Sequence, residues 1–395
     1  MISEKMVALG ENRSAIRDLF DYSLIRIQEV GAENVYDFSI GNPNTDIPPA
    51  AQEALLDLVR NSSSVALHGY TPSAGSPAAR AAAAEIESAR AGKAIPPELY
   101  YMTCGAAAGL AICLKAILQP GERVALLAPY FPEYKVFVEN ADGVCVVIPP
   151  RDDSMQPDFQ ALAAEAEKGL KAVIVNSPNN PSGLVYGEEC LRELAGVLRT
   201  ASERRGEPVY LISDEPYREL VFDGAKVPYV PDFYPDTLVC YSDSKSLSMP
   251  GERLGYVFVS PEAKERQRLF SAVNGAGRSL GYVCAPSLFQ QVFAACRGAV
   301  SDISIYKRNR DLLYELLTGL GFSCLKPDGA FYLFVKSPNG DSQDFSDRAK
   351  ARDLLIVPSD SFGVTGYARV AYCVAESTIH RSVNAWKALA AEYFA

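Results

Sequence analysis

What most constrains this chain is a repeated alternation: from about Tyr100 to Val259, short β-favouring apolar runs recur, several of them separated by stretches of helical periodicity. The runs are Arg123–Leu127, Val144–Ile148, Ala172–Val175, Val209–Ile212, Leu238–Tyr241 and Tyr256–Val259, and Gly105–Leu118 and Glu188–Glu203 are helical stretches among them. A strand that is apolar along its whole length has no face to show to water. The pattern therefore predicts an α/β fold with a mostly parallel central sheet flanked by helices. Beyond Val259 the texture changes. Pro286 suits the first position of a long helix reaching about Leu317, and the runs Phe331–Val335, Leu355–Val357 and Tyr367–Cys373 follow between helices. This predicts a smaller α+β domain. Residues 46–285 are expected to form the large domain, with residues 1–45 and 286–395 forming an N-terminal segment plus the small one, a division that 395 residues can support.

Several function classes are excluded early. With 38 basic and 48 acidic residues the formal charge is −10, and no Lys/Arg-rich run offers a footprint for nucleic acid. The longest apolar stretches, such as Gly105–Leu118, are interrupted by Lys115 and are too short for a membrane span. Met1–Asn12 carries Glu4, Lys5 and Glu11 with no apolar core, so a cytoplasmic location is expected. The nine cysteines stand singly, without a Cys-x-x-Cys pair, and read as reduced thiols. Only His68 and His380 are available as histidines, so neither a His-based metal site nor a His-activated nucleophile is expected. The acid–base groups of an enzyme must then come from Lys, Asp, Tyr or a cofactor.

Three of the apolar runs end in dense polar sequence: Asn176-Ser-Pro-Asn-Asn180-Pro-Ser-Gly183, Ser213-Asp214-Glu-Pro-Tyr217, and Ser242-Asp-Ser244-Lys245-Ser. In open α/β sheets ligands bind beyond the carboxyl ends of the strands, so the three should meet in one crevice. A lysine held there out of water, with Arg253 eight residues on, has its amine form favoured, as a nucleophile toward an aldehyde requires. The serine hydroxyls and the guanidinium fork suit a phosphate dianion. Asp214, at the end of an apolar strand, needs a positive partner such as a protonated pyridine nitrogen. Asn180 and Tyr217 can hold a phenolic oxygen. The small residues Gly105, Ala106 and Ala107 open a helix whose free N–H groups form an anion site.

Taken together, these residues resemble the pyridoxal-phosphate-dependent aminotransferases of fold type I, the aspartate aminotransferase family of class I/II, through nearly the whole chain. The most specific match is Ser242-x-Ser244-Lys245-(x)7-Arg253-x-Gly-Tyr256. The resemblance implies pyridoxal 5′-phosphate as cofactor, Lys245 as the Schiff-base lysine, Ser242, Ser244 and Arg253 as phosphate ligands, and Asp214 as the partner of the pyridine nitrogen. It also implies that Asn180 and Tyr217 contact the ring oxygen, that Gly105 and Ala106 cradle the phosphate beside Ala107, and that Phe131 stacks on the ring, completing the catalytic set with Lys245 and Asp214. Gly41 then belongs to the segment that closes over substrate, Arg369 binds the substrate α-carboxylate beside Asn180, and Tyr70 reaches the neighbouring subunit's phosphate in a homodimer with shared active sites. Cys104 and Ala107 lack the hydroxyl or charge that some relatives place near the phosphate, and Arg278 has no secure match to a distal-carboxylate arginine.

The implied activity is transfer of an amino group between an L-α-amino acid and a 2-keto acid by a ping-pong mechanism, aspartate or another common amino acid with 2-oxoglutarate among the pairs considered. A β-eliminating carbon–sulfur lyase on the same fold is the alternative. Ser242-x-x-Lys245 also fits the motif of penicillin-recognising serine hydrolases, but the chain has no Lys-Thr-Gly or Ser-Asp-Asn, and Met249-Pro-Gly251 follows where a helix should run. A cofactor-binding sensor domain of a transcription regulator would need an N-terminal winged-helix DNA-binding domain, and with Gly41 in the family's register none is expected here.

Overall fold

The computed structural model describes residues 2–11 and 14–394. Met1 and Ala395, the outer limits of the expected small domain, lie outside them, as does Asn12. A seven-stranded sheet forms the centre. Its order is Tyr100–Thr103, Gly255–Val259, Thr237–Ser242, Tyr210–Asp214, Leu170–Asn176, Arg123–Leu127, Val144–Ile148. Only Gly255–Val259 runs against its neighbours, and the rest pair parallel. Apolar side chains cover both faces, as continuous apolar strands require. On one face Leu110 and Ile112 of helix Gly105–Ile117 and Leu269 and Val273 of helix Arg266–Ser279 pack on the strands. On the other, Leu162 of helix Phe159–Glu167 and Leu191, Leu194 and Leu198 of helix Glu188–Arg205 do so. The edge strand Val144–Ile148 departs from the expectation, because Val144 and Val147 remain exposed.

A second, antiparallel sheet orders Val357–Pro358, Tyr367–Ala371, Tyr332–Lys336 and Ser323–Cys324. It packs with helices Ser304–Gly319 and Glu376–Phe394 around buried Trp386, Leu313 and Phe345. The N-terminal segment joins this unit, since Tyr36–Asp37 pairs parallel with Leu354–Leu355.

The long helix expected from Pro286 to about Leu317 is instead two helices. Pro286 stands at the cap of Ser287–Ala295, and Gly298 then adopts a left-handed backbone (φ 78°) that an α-helix cannot continue through. A new helix starts at Ser304, whose N–H bonds Asp302 Oδ1 at 2.9 Å. The first of the pair packs on helices Pro49–Asn61 and Pro77–Ala91. We therefore propose a division in which the C-terminal part of the small domain begins near Ser304 and not at residue 286.

Candidate active site

The three polar strand ends open into one cleft, lined by Asn176, Asn180, Asp214, Tyr217, Ser242, Ser244 and Lys245. The parallel register explains this: Asn176 pairs with Asp214 across adjacent strands, so both chains leave the sheet at the same level. Asn176 ties the two exits, donating from Nδ2 to Asp214 O at 2.9 Å and accepting Asn180 N–H on Oδ1 at 2.7 Å.

Lys245 sits in the helical turn Asp243–Ser246, whose first free N–H groups Ser242 caps by accepting from Ser244 N. The Ser-x-x-Lys stretch thus does open a short helical turn, which the sequence reading had not expected. Nζ of Lys245 donates to Gly41 O at 2.8 Å and lies 5.3 Å from the centre of the Phe331 ring. Burial pushes this amine down to about 8, and Arg253 and Arg369 act in the same direction.

At one end of the cleft, the Ser242 and Ser244 hydroxyls are 2.6 Å apart and Arg253 Nη1 donates to Ser244 Oγ at 3.4 Å. Gly105, at φ 82°, opens helix Gly105–Ile117 directly against that guanidinium. Its positive φ favours glycine, and a Cβ there would stand 2.6 Å from Arg253 Nη2 and displace the guanidinium. Ala106 and Ala107 line the cleft beside it.

Asp214 is fully buried, and its burial pushes the carboxyl up to about 7. Tyr134 donates to Oδ2, while Oδ1 has no hydrogen-bond partner. Phe131 lines the cleft edge-on to Tyr134, their ring centres 5.7 Å apart. Tyr217 shares a hydrogen bond with Tyr332 through their hydroxyls at 3.0 Å.

From the second sheet, Arg369 enters the cleft almost completely buried. It donates through Nη1 to Asn180 Oδ1 at 3.1 Å and through Nη2 to Ser39 O at 2.5 Å, and Nε has no partner. The rings of Tyr332 and Phe362 hold its plane, 4.6 and 5.3 Å from the guanidinium carbon. Gly41 also lines the cleft, where a Cβ would collide with the Tyr332 hydroxyl at 1.9 Å.

Arg278 does not line the cleft, and of the residues to which the resemblance gave a role Tyr70 stands apart. Tyr70 is 94% exposed and does not line this chain's cleft. Sequence reasoning gave no role to Asn176, Tyr134 or Tyr332. Tyr134 lay within the Pro129-Tyr-Phe131-Pro-Glu-Tyr134 stretch, in the first turn of helix Glu133–Asn140, where its ring meets Phe131 edge-on.

A model of the family described as aminotransferase class I and II matches residues 33–385. The chain is similar to an amino transferase from Eubacterium rectale, with 49% identity, all of both chains covered and a TM-score of 0.97. It is also similar to the aspartate aminotransferase from Thermus thermophilus with maleate, at 27% identity over 98% of this chain and 99% of that one, with a TM-score of 0.86. An aspartate/prephenate aminotransferase of Thermus thermophilus is 30% identical over 351 residues, 87% of this chain and 88% of that protein. The chain belongs to the aminotransferase class I and II family. It is a fold type I transaminase, and its family works with pyridoxal 5′-phosphate. Nothing in the cleft or among these relatives favours the lyase alternative. Among the described residues, no helix is long and apolar enough to cross a membrane.

Proposed function

We propose that the cleft holds pyridoxal 5′-phosphate and moves an amino group between an L-α-amino acid and a 2-keto acid. The observation that carries this reading is the unpartnered Oδ1 of buried Asp214. A protonated ring nitrogen is a donor such an oxygen requires, and its positive charge relieves the burial that raises the carboxyl. The remaining residues fit the same group. Ser242, Ser244, Arg253 and the N–H groups of Ala106 and Ala107 after the Gly105 turn would receive the phosphate, Asn180 and Tyr217 the ring oxygen, and Phe131 one face of the ring. What the cofactor contributes when bound is an aldehyde that condenses with amines and a protonated ring that accepts an electron pair.

The chain's own residues then divide the work. Arg369 grips the substrate α-carboxylate with its guanidinium, whose plane Tyr332 and Phe362 already fix. Lys245 would hold the cofactor through its amine, and that amine is the group placed to take the proton from the substrate Cα. An amine lowered to about 8 is suited to that exchange near neutral pH, since an ordinary lysine would stay protonated. The same groups serve the second keto acid in reverse, giving ping-pong kinetics. We further propose a homodimer with shared sites. Its support is the exposure of two large hydrophobic side chains five positions apart in sequence, Tyr70 at 94% and Val65 at 83%. Nine free thiols suit a cytoplasmic location.

Protein purified with ample pyridoxal phosphate should be yellow, should form glutamate from 2-oxoglutarate and an amino acid, and should lose both properties in Lys245→Ala. No visible absorbance band, and no cofactor fixed on Lys245 by borohydride, would end this reading.

A further inference from the structure

The turn that carries Lys245 borders two cavities. Ser242, Ser244 and Lys245 line the catalytic cleft, whereas Asp243 and Leu247 line a second cavity of about 430 Å³. Asp243 is 4% exposed and Oδ2 of its carboxyl has no hydrogen-bond partner. Glu219, on the same cavity, is in the same condition at Oε2.

The surrounding charges do not balance. Buried Arg218 spends Nη1 on Glu87 and Glu215, Nη2 on the Tyr256 hydroxyl at 2.7 Å and Nε on Glu219 Oε1 at 2.9 Å. Arg90 Nη1 bridges Glu87 and Glu215 at 3.1 and 3.0 Å, and its Nη2 is without a partner. Four carboxyls, Glu87, Glu215, Glu219 and Asp243, thus face two guanidiniums. The acceptors left unanswered are the two carboxyl oxygens on the cavity wall. Burial, reinforced by Glu219 and offset only in part by Arg218, pushes the Asp243 carboxyl up to about 8.

We propose that this cavity binds a small organic cation, a primary ammonium on an apolar stem. The ammonium would sit against Asp243 and Glu219, on a wall that Arg90 and Arg218 share, and the stem against the apolar part of the lining, Leu247, Phe293 and Val300 among it. A charged head answers the two free carboxyl oxygens, and an apolar body suits Ile86, Ala89, Leu247, Phe293 and Val300, while Arg90 and Arg218 stay engaged with the carboxyls of the ion network. A metal ion does not suit the site, because among the described residues no three metal-ligating side chains converge. The site is separate from the one that takes the amino-acid substrate, since none of its residues lines the catalytic cleft.

The test is calorimetric titration of n-butylammonium into holoenzyme reduced with borohydride, which leaves no aldehyde to capture an amine. One saturable site per chain is expected. Asp243→Asn, of equal size but without the charge, should weaken binding by roughly tenfold or more. Ala299→Phe, which fills the cavity, should abolish it and keeps the test decisive where Asp243→Asn does not fold. The neutral analogue n-butanol should bind far more weakly to the wild type. No saturable binding, or binding that both variants leave unchanged, overturns the proposal, as does equal affinity for n-butanol.

Discussion

Tyr134 donates its hydroxyl to Oδ2 of Asp214, so that the carboxyl keeps one oxygen occupied and presents the other, Oδ1, unpaired. The contact pulls the Asp214 carboxyl down against the larger effect of its burial. Tyr134 is therefore a positioning residue. Tyr134→Phe leaves a buried acceptor without a donor, a loss of about 1–3 kcal/mol. The variant should bind pyridoxal phosphate more weakly, and kcat/KM should fall by roughly 5-fold to 100-fold. Absorbance titration and steady-state kinetics measure the two effects. In Asp214→Asn the same Tyr134 change should cost far less, and equal effects in both backgrounds would show that the hydroxyl does not act through Asp214.

Asp214 also predicts a pH dependence for the cofactor-free protein. Its folded carboxyl titrates near 7 and its unfolded one near the ordinary 3.8. The native state therefore holds the proton longer, and the stability of that state is complete below about pH 4 and declines as pH rises through about 7. Thermal melts of cofactor-free wild type and Asp214→Asn across this range should diverge, with the wild type losing ground. Added pyridoxal phosphate should reverse the loss, since it supplies the missing cation. Parallel curves would contradict a strongly raised carboxyl.

Much of the fold was legible because its signals are local. The bounds of Arg123–Leu127 and Val144–Ile148 are those of the apolar runs themselves. Lys245 and Arg253 could be read together because they stand only eight positions apart, and the guanidinium indeed meets Ser244. Less legible were contacts between residues far apart in sequence. Tyr332 lies in a run that reads simply as apolar strand, yet its hydroxyl meets that of Tyr217, 115 positions earlier. The helix break near Gly298 was hidden by continuous helical periodicity on both sides. Periodicity reports which face is apolar. It does not report what that face meets.

Arg369 should set the demand for an α-carboxylate. It is buried, its plane is fixed by two rings, and Nε lacks a partner. Removing one side of a desolvated charge pair costs about 2–5 kcal/mol, so Arg369→Ala should lower kcat/KM for amino acids by roughly 30-fold to several thousand-fold. Arg369→Lys should remain impaired, because a point charge cannot replace a fork. The visible cofactor band should survive in both. Near-normal kcat/KM in Arg369→Ala, or loss of the band, would remove the residue from this role.

Tyr70 carries the prediction for shared sites. A tyrosine 94% exposed on one chain gains nothing there from its ring, and the neighbouring Val65 is left open as well. Both are accounted for if a second copy covers them and receives the hydroxyl at its phosphate site. Subunit mixing separates this from a monomeric enzyme. Lys245→Ala should be inactive and Tyr70→Phe impaired, each lesion lying in a different chain of any one site. In a mixed dimer the two lesions fall in the same site: the one built on the Lys245→Ala chain receives the altered Tyr70 from its partner. The other site has both residues intact. Mixing under exchange conditions should therefore raise activity above the sum of the parents. A protein that sediments as a monomer, or a mixture that gains nothing although exchange is verified, would show that each chain completes its own site.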